Sequence, residues 1–151
     1  NGVAELFLDS LINPKITIPE VITRINGITT DMVSDKPLIE NVHEEFINFI
    51  SGYPIIAHNA PFDIGFVKNN FKLKSNSIDV FDTLTYARNH YNFPNNKLGT
   101  ISVALGIEYS SVHRALVDAD TTAKVFQYFQ KDYLSKISQD TPPPLSIYSE
   151  N

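Results

Sequence analysis

The sequence contains no cysteine, which excludes a disulfide framework, a thiolate metal site and a cysteine nucleophile, and is compatible with a reducing cytoplasm. Long apolar runs are also missing. None approaches the ~20 residues needed to cross a bilayer, and the first residues lack the basic and apolar regions of a signal peptide. A cytoplasmic domain without a membrane partner is expected. Positive charge is scarce as well: 12 Lys and Arg stand against 17 Asp and Glu, a formal net charge of −5. That balance argues against a broad basic surface of the kind that grips nucleic acid through counterion release. It leaves open a site where divalent ions held by carboxylates meet a phosphate.

What is present is 151 residues with 42% hydrophobic content, enough for one domain with a continuous core. Residues 1–137 are expected to form that domain. Residues 138–151, with three consecutive prolines in a polar context, read as a tail or linker.

The chain alternates strand-like and helix-like stretches. Val3–Ile12 reads as an edge or hairpin strand closed by Asn13-Pro14. Glu20–Ile25 reads as a short helix with a left-handed stop at Asn26-Gly27, and Thr30-Asp31 as the cap of the next turn. Val42, Phe46, Phe49 and Ile50 recur at helical spacing, in a helix ending near Gly52. Pro54–Ala57 is a short apolar run expected to be a buried strand that delivers His58 and Asn59 at its C-terminal end. Pro61 should start a helix whose apolar side carries Phe62, Phe66 and Phe71 and which reaches Lys72. Ile78–Phe81 is a second strand candidate, followed by a helix to about Tyr91 capped by Asp82 or Thr83. A short helix over Lys97–Leu105 should stop at Gly106. A longer one from Arg114 to Tyr133 should bury Leu116, Ala119, Ala123 and Phe126. Strands interleaved with helices indicate an α/β layer architecture, with function at the C-terminal ends of the strands.

Two stretches hold the candidate chemistry: His58-Asn59-Ala60-Pro61-Phe62-Asp63, and His113 followed by Asp118 and Asp120. An acid in the first turn of a helix is commonly a simple partner for the helix dipole, and that explanation stands for Asp63 and Asp118 taken singly. Against it, both lie in stretches otherwise rich in apolar residues, where an unpaired carboxylate is costly unless a cation joins it. His113 and Asp118 would point about 140° apart on one unbroken helix. A helix beginning just after His113 would free the imidazole to act as a general base beside a metal-bound water. A capping or exposed His113 is the plain alternative. Asp82 is expected to cap a helix and Asp120 to be solvated or structural. Tyr86, Tyr91, Tyr128 and Tyr133 are expected in the core or at its rim.

Taken together and in order, HNAPFDIGF, Ile78-Asp79-Val80-Phe81-Asp82-Thr83-Leu84, the stretch from His113 to Ala123 and the INGIT of Ile25–Thr29 resemble the DnaQ-like exonucleases of the DEDDh type. That family includes the bacterial replicative proofreading subunits. The similarity covers residues 1 to about 133. It implies a ribonuclease-H-like fold, a mixed sheet flanked by helices, and a 3′→5′ exonuclease acting on DNA 3′ ends, single-stranded or frayed, in replication proofreading or repair. It implies two divalent ions, magnesium or manganese, in an in-line displacement. Asp63 and Asp118 become metal ligands and His113 the base. His58 and Asn59 shape the site, Phe62 packs on the terminal nucleotide, and Ile25 and Asn26 touch it. A DNA polymerase subunit is the partner so implied.

The family also carries a D-x-E strand ahead of the stretch matching Asn1-Gly2. Glu5 and Asp9 lack that spacing. With the first strand or strands missing, the residues written here are expected to have little activity by themselves. The rival expectations are an exoribonuclease of the same superfamily, and an inactive module that docks on a polymerase.

Overall fold

The structure is a computed structural model that describes residues 8–71, 79–110 and 114–140, with side chains described through Ile137. The expected strand over Val3–Ile12 falls partly outside these residues, and 8–12 carry no strand pairing. The turn that closes it does form. Asn13 Oδ1 accepts the Lys15 backbone N–H at 2.8 Å, Lys15 adopts φ 60°, and Asn13 makes an isolated parallel bridge to Leu38.

Helix α1 spans Glu20–Asn26 and stops where Gly27 takes φ 71°, so that its N–H reaches back to the Thr23 carbonyl. Helix α2, Thr30–Val33, is capped by Thr29, whose hydroxyl accepts from Met32 N. The expected cap at Thr30-Asp31 is therefore displaced by one residue. Thr30 has another task, since its hydroxyl accepts from Ile18 N at 3.0 Å. Helix α3, Ile39–Ile50, begins where Asn41 Oδ1 accepts the Leu38 N–H, and Gly52 leaves it at φ 81°.

Strand β1, Ile55–Ala57, and strand β2, Val80–Asp82, run parallel in the register Ile55 to Val80, Ile56 to Phe81 and Ala57 to Asp82. Between them runs helix α4, Ala60–Phe71, the crossover that two parallel strands require. Strand β1 is half-buried rather than buried, with Ile56 exposed, because only part of its surface is covered by the described helices. Helix α4 departs from expectation too. Its Phe71 is buried against Phe46 and His43, but Phe62 and Phe66 face outward. Lys72 and Ile78, expected as element ends, lie outside the described residues.

Helix α5 spans Thr83–His90, α6 spans Leu98–Ala104 and α7 spans Ala115–Asp140. These three helices build the core, in which Ala87, Ile101, Val125 and Phe129 pack together under Tyr86, Tyr91, Phe93, Leu98, Leu105 and Ile107. The face that α7 buries is only partly the one expected: Ala123 and Phe126 are half-buried, Phe126 edge-on to Phe81. Thr121, Thr122, Val125 and Phe129 are buried, while Leu116 and Ala119 are exposed. Threonine serves in the core here because its hydroxyl is satisfied inside the helix: Thr121 Oγ1 donates to the Val117 carbonyl at 2.7 Å. Ser102 in α6 does the same with the Leu98 carbonyl at 2.7 Å.

Beyond Phe129, α7 continues past the expected end at Tyr133. The Tyr91 hydroxyl donates to Asp132 Oδ2, Lys136 Nζ donates to the same oxygen at 2.7 Å and lies over the Tyr91 ring, and so the C-terminal end of α5 is tied to α7. Burial and the neighbouring Asp132 push the Tyr91 phenol far above its ordinary value. Tyr86 and Tyr91 are core residues and Tyr128 and Tyr133 are exposed. No helix among the described residues is long and apolar enough to cross a membrane.

Candidate active site

The C-terminal ends of β1 and β2 meet side by side, and the residues that follow them are joined by hydrogen bonds. Asn59 leaves β1 at φ 71°, in the left-handed region that asparagine tolerates better than most residues. Its N–H donates to Asp82 Oδ1 at 2.9 Å. The same oxygen accepts from Leu84 N at 3.0 Å, capping α5, and Asp82 Oδ2 accepts from the Thr85 hydroxyl at 2.9 Å. Asp82 is thus a helix cap that also holds the neighbouring turn. Burial raises its pKa, but the hydrogen bonds from Thr85, Asn59, Leu84 and Ala60 outweigh it, and the carboxyl lies below its ordinary value.

His58 is held on both sides of its ring. Its Nε2 lies 3.0 Å from the Asn96 carbonyl, which can only accept, so Nε2 carries the proton. Its Nδ1 lies 2.9 Å from the hydroxyl of the fully buried Thr83. Burial lowers the His58 pKa, with the Arg88 charge acting in the same direction and Asn96, Asp82 and Asp118 opposing. Both nitrogens being engaged, His58 braces the end of β1 against the segment ahead of α6.

Asp63 lies in the first turn of α4 and Asp118 in the first turn of α7. Both line one open cleft of about 1640 Å³, together with His58, Asn59 and Phe62. Phe62 is 75% exposed, a ring presented to solvent at the mouth. Asp63 is open to solvent overall, yet the cleft wall withdraws enough water to push its carboxyl above the ordinary value. The Asp63 backbone N–H and His58 oppose this, while Asp82 adds like-charge repulsion. Asp118 Oδ1, in contrast, is closed off from solvent.

Tyr109 also lines the cleft, and its phenol is raised by burial and by the charge of Asp118. It lies so close to α6 that a Cβ on Gly99 would meet its ring at 2.6 Å. Asp120 is exposed and pairs with Lys124 at 2.7 Å, as an outward residue of α7 should. Ile25 and Asn26 are not among the cleft-lining residues: Ile25 is exposed on α1, and Asn26 Oδ1 accepts from Ile28 N at 2.9 Å. His113 lies outside the described residues.

Asn96, Tyr109, Arg88 and Lys97 all line the cleft and none was singled out from the sequence. The only local signal is the Pro94-Asn95-Asn96 turn chemistry ahead of α6, which does not reveal that the turn folds back onto His58.

The α/β fold with this cleft at its strand ends is of the ribonuclease-H-like kind. A solved structure of exonuclease X in complex with 5′ overhanging duplex DNA matches with a TM-score of 0.64 at 24% identity, over 81% of this chain and 71% of that one. A model of the RNase T exonuclease family matches residues 2–126, and the chain belongs to that family.

Among similar proteins, the PolC-type DNA polymerase III of Caldanaerobacter subterraneus subsp. tengcongensis is 38% identical over 121 residues, covering 78% of this chain and 9% of that protein. The DNA polymerase III epsilon subunit of Pasteurella multocida is 34% identical over 139 residues, covering 87% of this chain and 55% of that one. The epsilon subunit of Haemophilus influenzae is 39% identical over 111 residues, covering 68% and 43% respectively. The chain therefore spans under a tenth of the PolC-type relative and about half of each epsilon subunit.

Proposed function

We propose that this domain removes nucleotides from DNA 3′ ends, working 3′→5′ in replication proofreading or repair as part of a cytoplasmic polymerase assembly. The observation that carries this is that Asp63 and Asp118, from two helices distant in sequence, line one cleft beside the strand ends. The similarity to polymerase III epsilon and PolC-type proteins supports the choice of DNA and of a polymerase partner.

The two acids fit a divalent cation as part of its ligand set. Desolvation and Asp82 both push the Asp63 carboxyl toward protonation, and a cation would relieve both effects. No three or more His, Asp or Glu side chains converge as a ligand set among the described residues, so Asp63 and Asp118 would supply a share of it. Magnesium or manganese bound there would neutralise charge on the scissile phosphate and lower the pKa of a bound water.

The chain's own residues do the rest. Asp82 holds Asn59 and the opening of α4, which fixes the direction of Asp63 and Phe62. Phe62 offers its exposed ring to the terminal nucleotide. His113, just ahead of α7 in the sequence, takes the role of general base and accepts the proton of the attacking water.

The test uses the full-length protein with manganese on single-stranded DNA labelled at its 5′ end, with RNA in parallel. Stepwise shortening from the 3′ end of DNA, reduced by orders of magnitude in Asp63→Ala and Asp118→Ala, is expected. Near-normal rates in either variant would refute the assignment, and faster cleavage of RNA would move the substrate to that class.

A further inference from the structure

The cleft is larger than the ~300–1,000 Å³ in which a small ligand is usually held, at about 1640 Å³. A terminal nucleotide at the acids therefore leaves room for the strand that leads to it. Charges of both signs line it: the acids Asp63 and Asp118, and the cationic side chains of Arg88, from the last turn of α5, and Lys97, the N-cap residue of α6.

Among the cations without an ion pair in the described residues, these two line the cleft, whereas Lys68, Arg114 and Lys131 do not. Lys15, Arg24, Lys36, Lys124 and Lys136 each pair with a carboxylate, whereas Arg88 and Lys97 form no ion pair among the described residues. The helix dipole favours Arg88 at the end of α5 but disfavours Lys97 at the start of α6, so helix stability does not account for both.

Their backbone is also fixed before any ligand arrives. Lys97 N donates to Asn95 Oδ1 at 3.0 Å, and the adjoining Asn96 carbonyl is held by His58. The Arg88 charge is felt at the same histidine.

We propose that Arg88 and Lys97 seat the phosphodiester backbone of the single strand upstream of its 3′-terminal nucleotide. The cleft is then acidic where the bond is cut and basic where the strand is held, in a domain whose net charge is otherwise negative. The placement of the terminal nucleotide at the acidic end rests on the exonuclease function proposed above.

Each cation on a strand phosphate contributes about 0.7 to the slope of log affinity against log salt. Binding of a fluorescent single-stranded oligonucleotide to the full-length protein, measured by anisotropy over a salt series with EDTA present, reads that slope without hydrolysis or cation-bridged contacts. In the Arg88→Gln/Lys97→Gln double variant the slope should fall by about 0.7 for each side chain removed, with several-fold weaker binding. Lys131→Gln, an exposed lysine of α7 outside the cleft, should leave the slope unchanged.

An unchanged slope in the double variant, or an equal loss in Lys131→Gln, would overturn the proposal. Hydrolysis by the wild type is measured separately. A protein that cuts nothing but shows the expected slope change loses its exonuclease assignment and keeps the phosphate seat. One that cuts normally with no slope change loses the seat alone.

Discussion

The backbone N–H of Asn59 donates to Asp82 Oδ1 at 2.9 Å, tying the residue that opens α4 to the last residue of β2. Through this bond a strand end on one side sets the direction of a helix on the other. Asp63 and Phe62 sit in that helix's first turn, so Asp82 positions them without lining the cleft itself.

Replacing Asp82 with Ala removes the cap of α5 and the partner of Asn59. A loss of about 0.5–2 kcal/mol is expected for the cap alone, read as a lower denaturation midpoint. The pH dependence has a definite sign. The folded pKa of Asp82 is below its ordinary value, so its contribution is present above the ordinary carboxylate pKa and is lost as pH falls through the folded one. Wild type and Asp82→Ala should therefore converge in stability in acid and differ most near neutrality.

His58 should be neutral at pH 7 with its proton on Nε2, because the Asn96 carbonyl can only accept. Nitrogen NMR should report that tautomer and a titration below the ordinary histidine value. A depressed pKa makes the folded state lose stability as pH falls from the ordinary value toward the folded one. His58→Ala leaves the Asn96 carbonyl without this donor and should cost about 1–3 kcal/mol.

Phe129 is 1% exposed at the centre of the α5–α6–α7 core. Phe129→Ala should cost about 3–5 kcal/mol in chemical denaturation, since the surrounding helices can collapse only partly into the space. Leu116→Ala, on the exposed side of α7, should cost far less.

Gly99→Ala places a Cβ against the Tyr109 ring at 2.6 Å. A destabilisation of about 1–3 kcal/mol is expected, the usual range for overpacking. Because Tyr109 lines the cleft, its fluorescence or NMR signals should shift with it.

Local backbone chemistry is legible in the sequence. The stop at Gly27, the Asp82 cap, the strand delivering His58 and Asn59, and the acids Asp63 and Asp118 opening two helices all follow from short-range rules. The buried face of α7 does so only in part. Leu116 and Ala119 are apolar and Thr121 is polar, yet Thr121, whose hydroxyl bonds within its own helix, buries its methyl at little cost. Phe62 and Phe66 share helical spacing with Phe71, yet both face outward, Phe62 at the cleft. The His58–Asn96 bond spans 38 positions, a separation that no periodicity encodes.

Manganese-induced broadening of backbone amide signals in the full-length protein tests most directly whether Asp63 and Asp118 serve one cation site. Amides around Asp63 in α4 and around Asp118 in α7 should broaden together at the same manganese concentration, and Asp63→Asn should weaken the effect at both. Broadening at one acid alone, or an Asp63→Asn variant that leaves the Asp118 signals as affected as before, would contradict it.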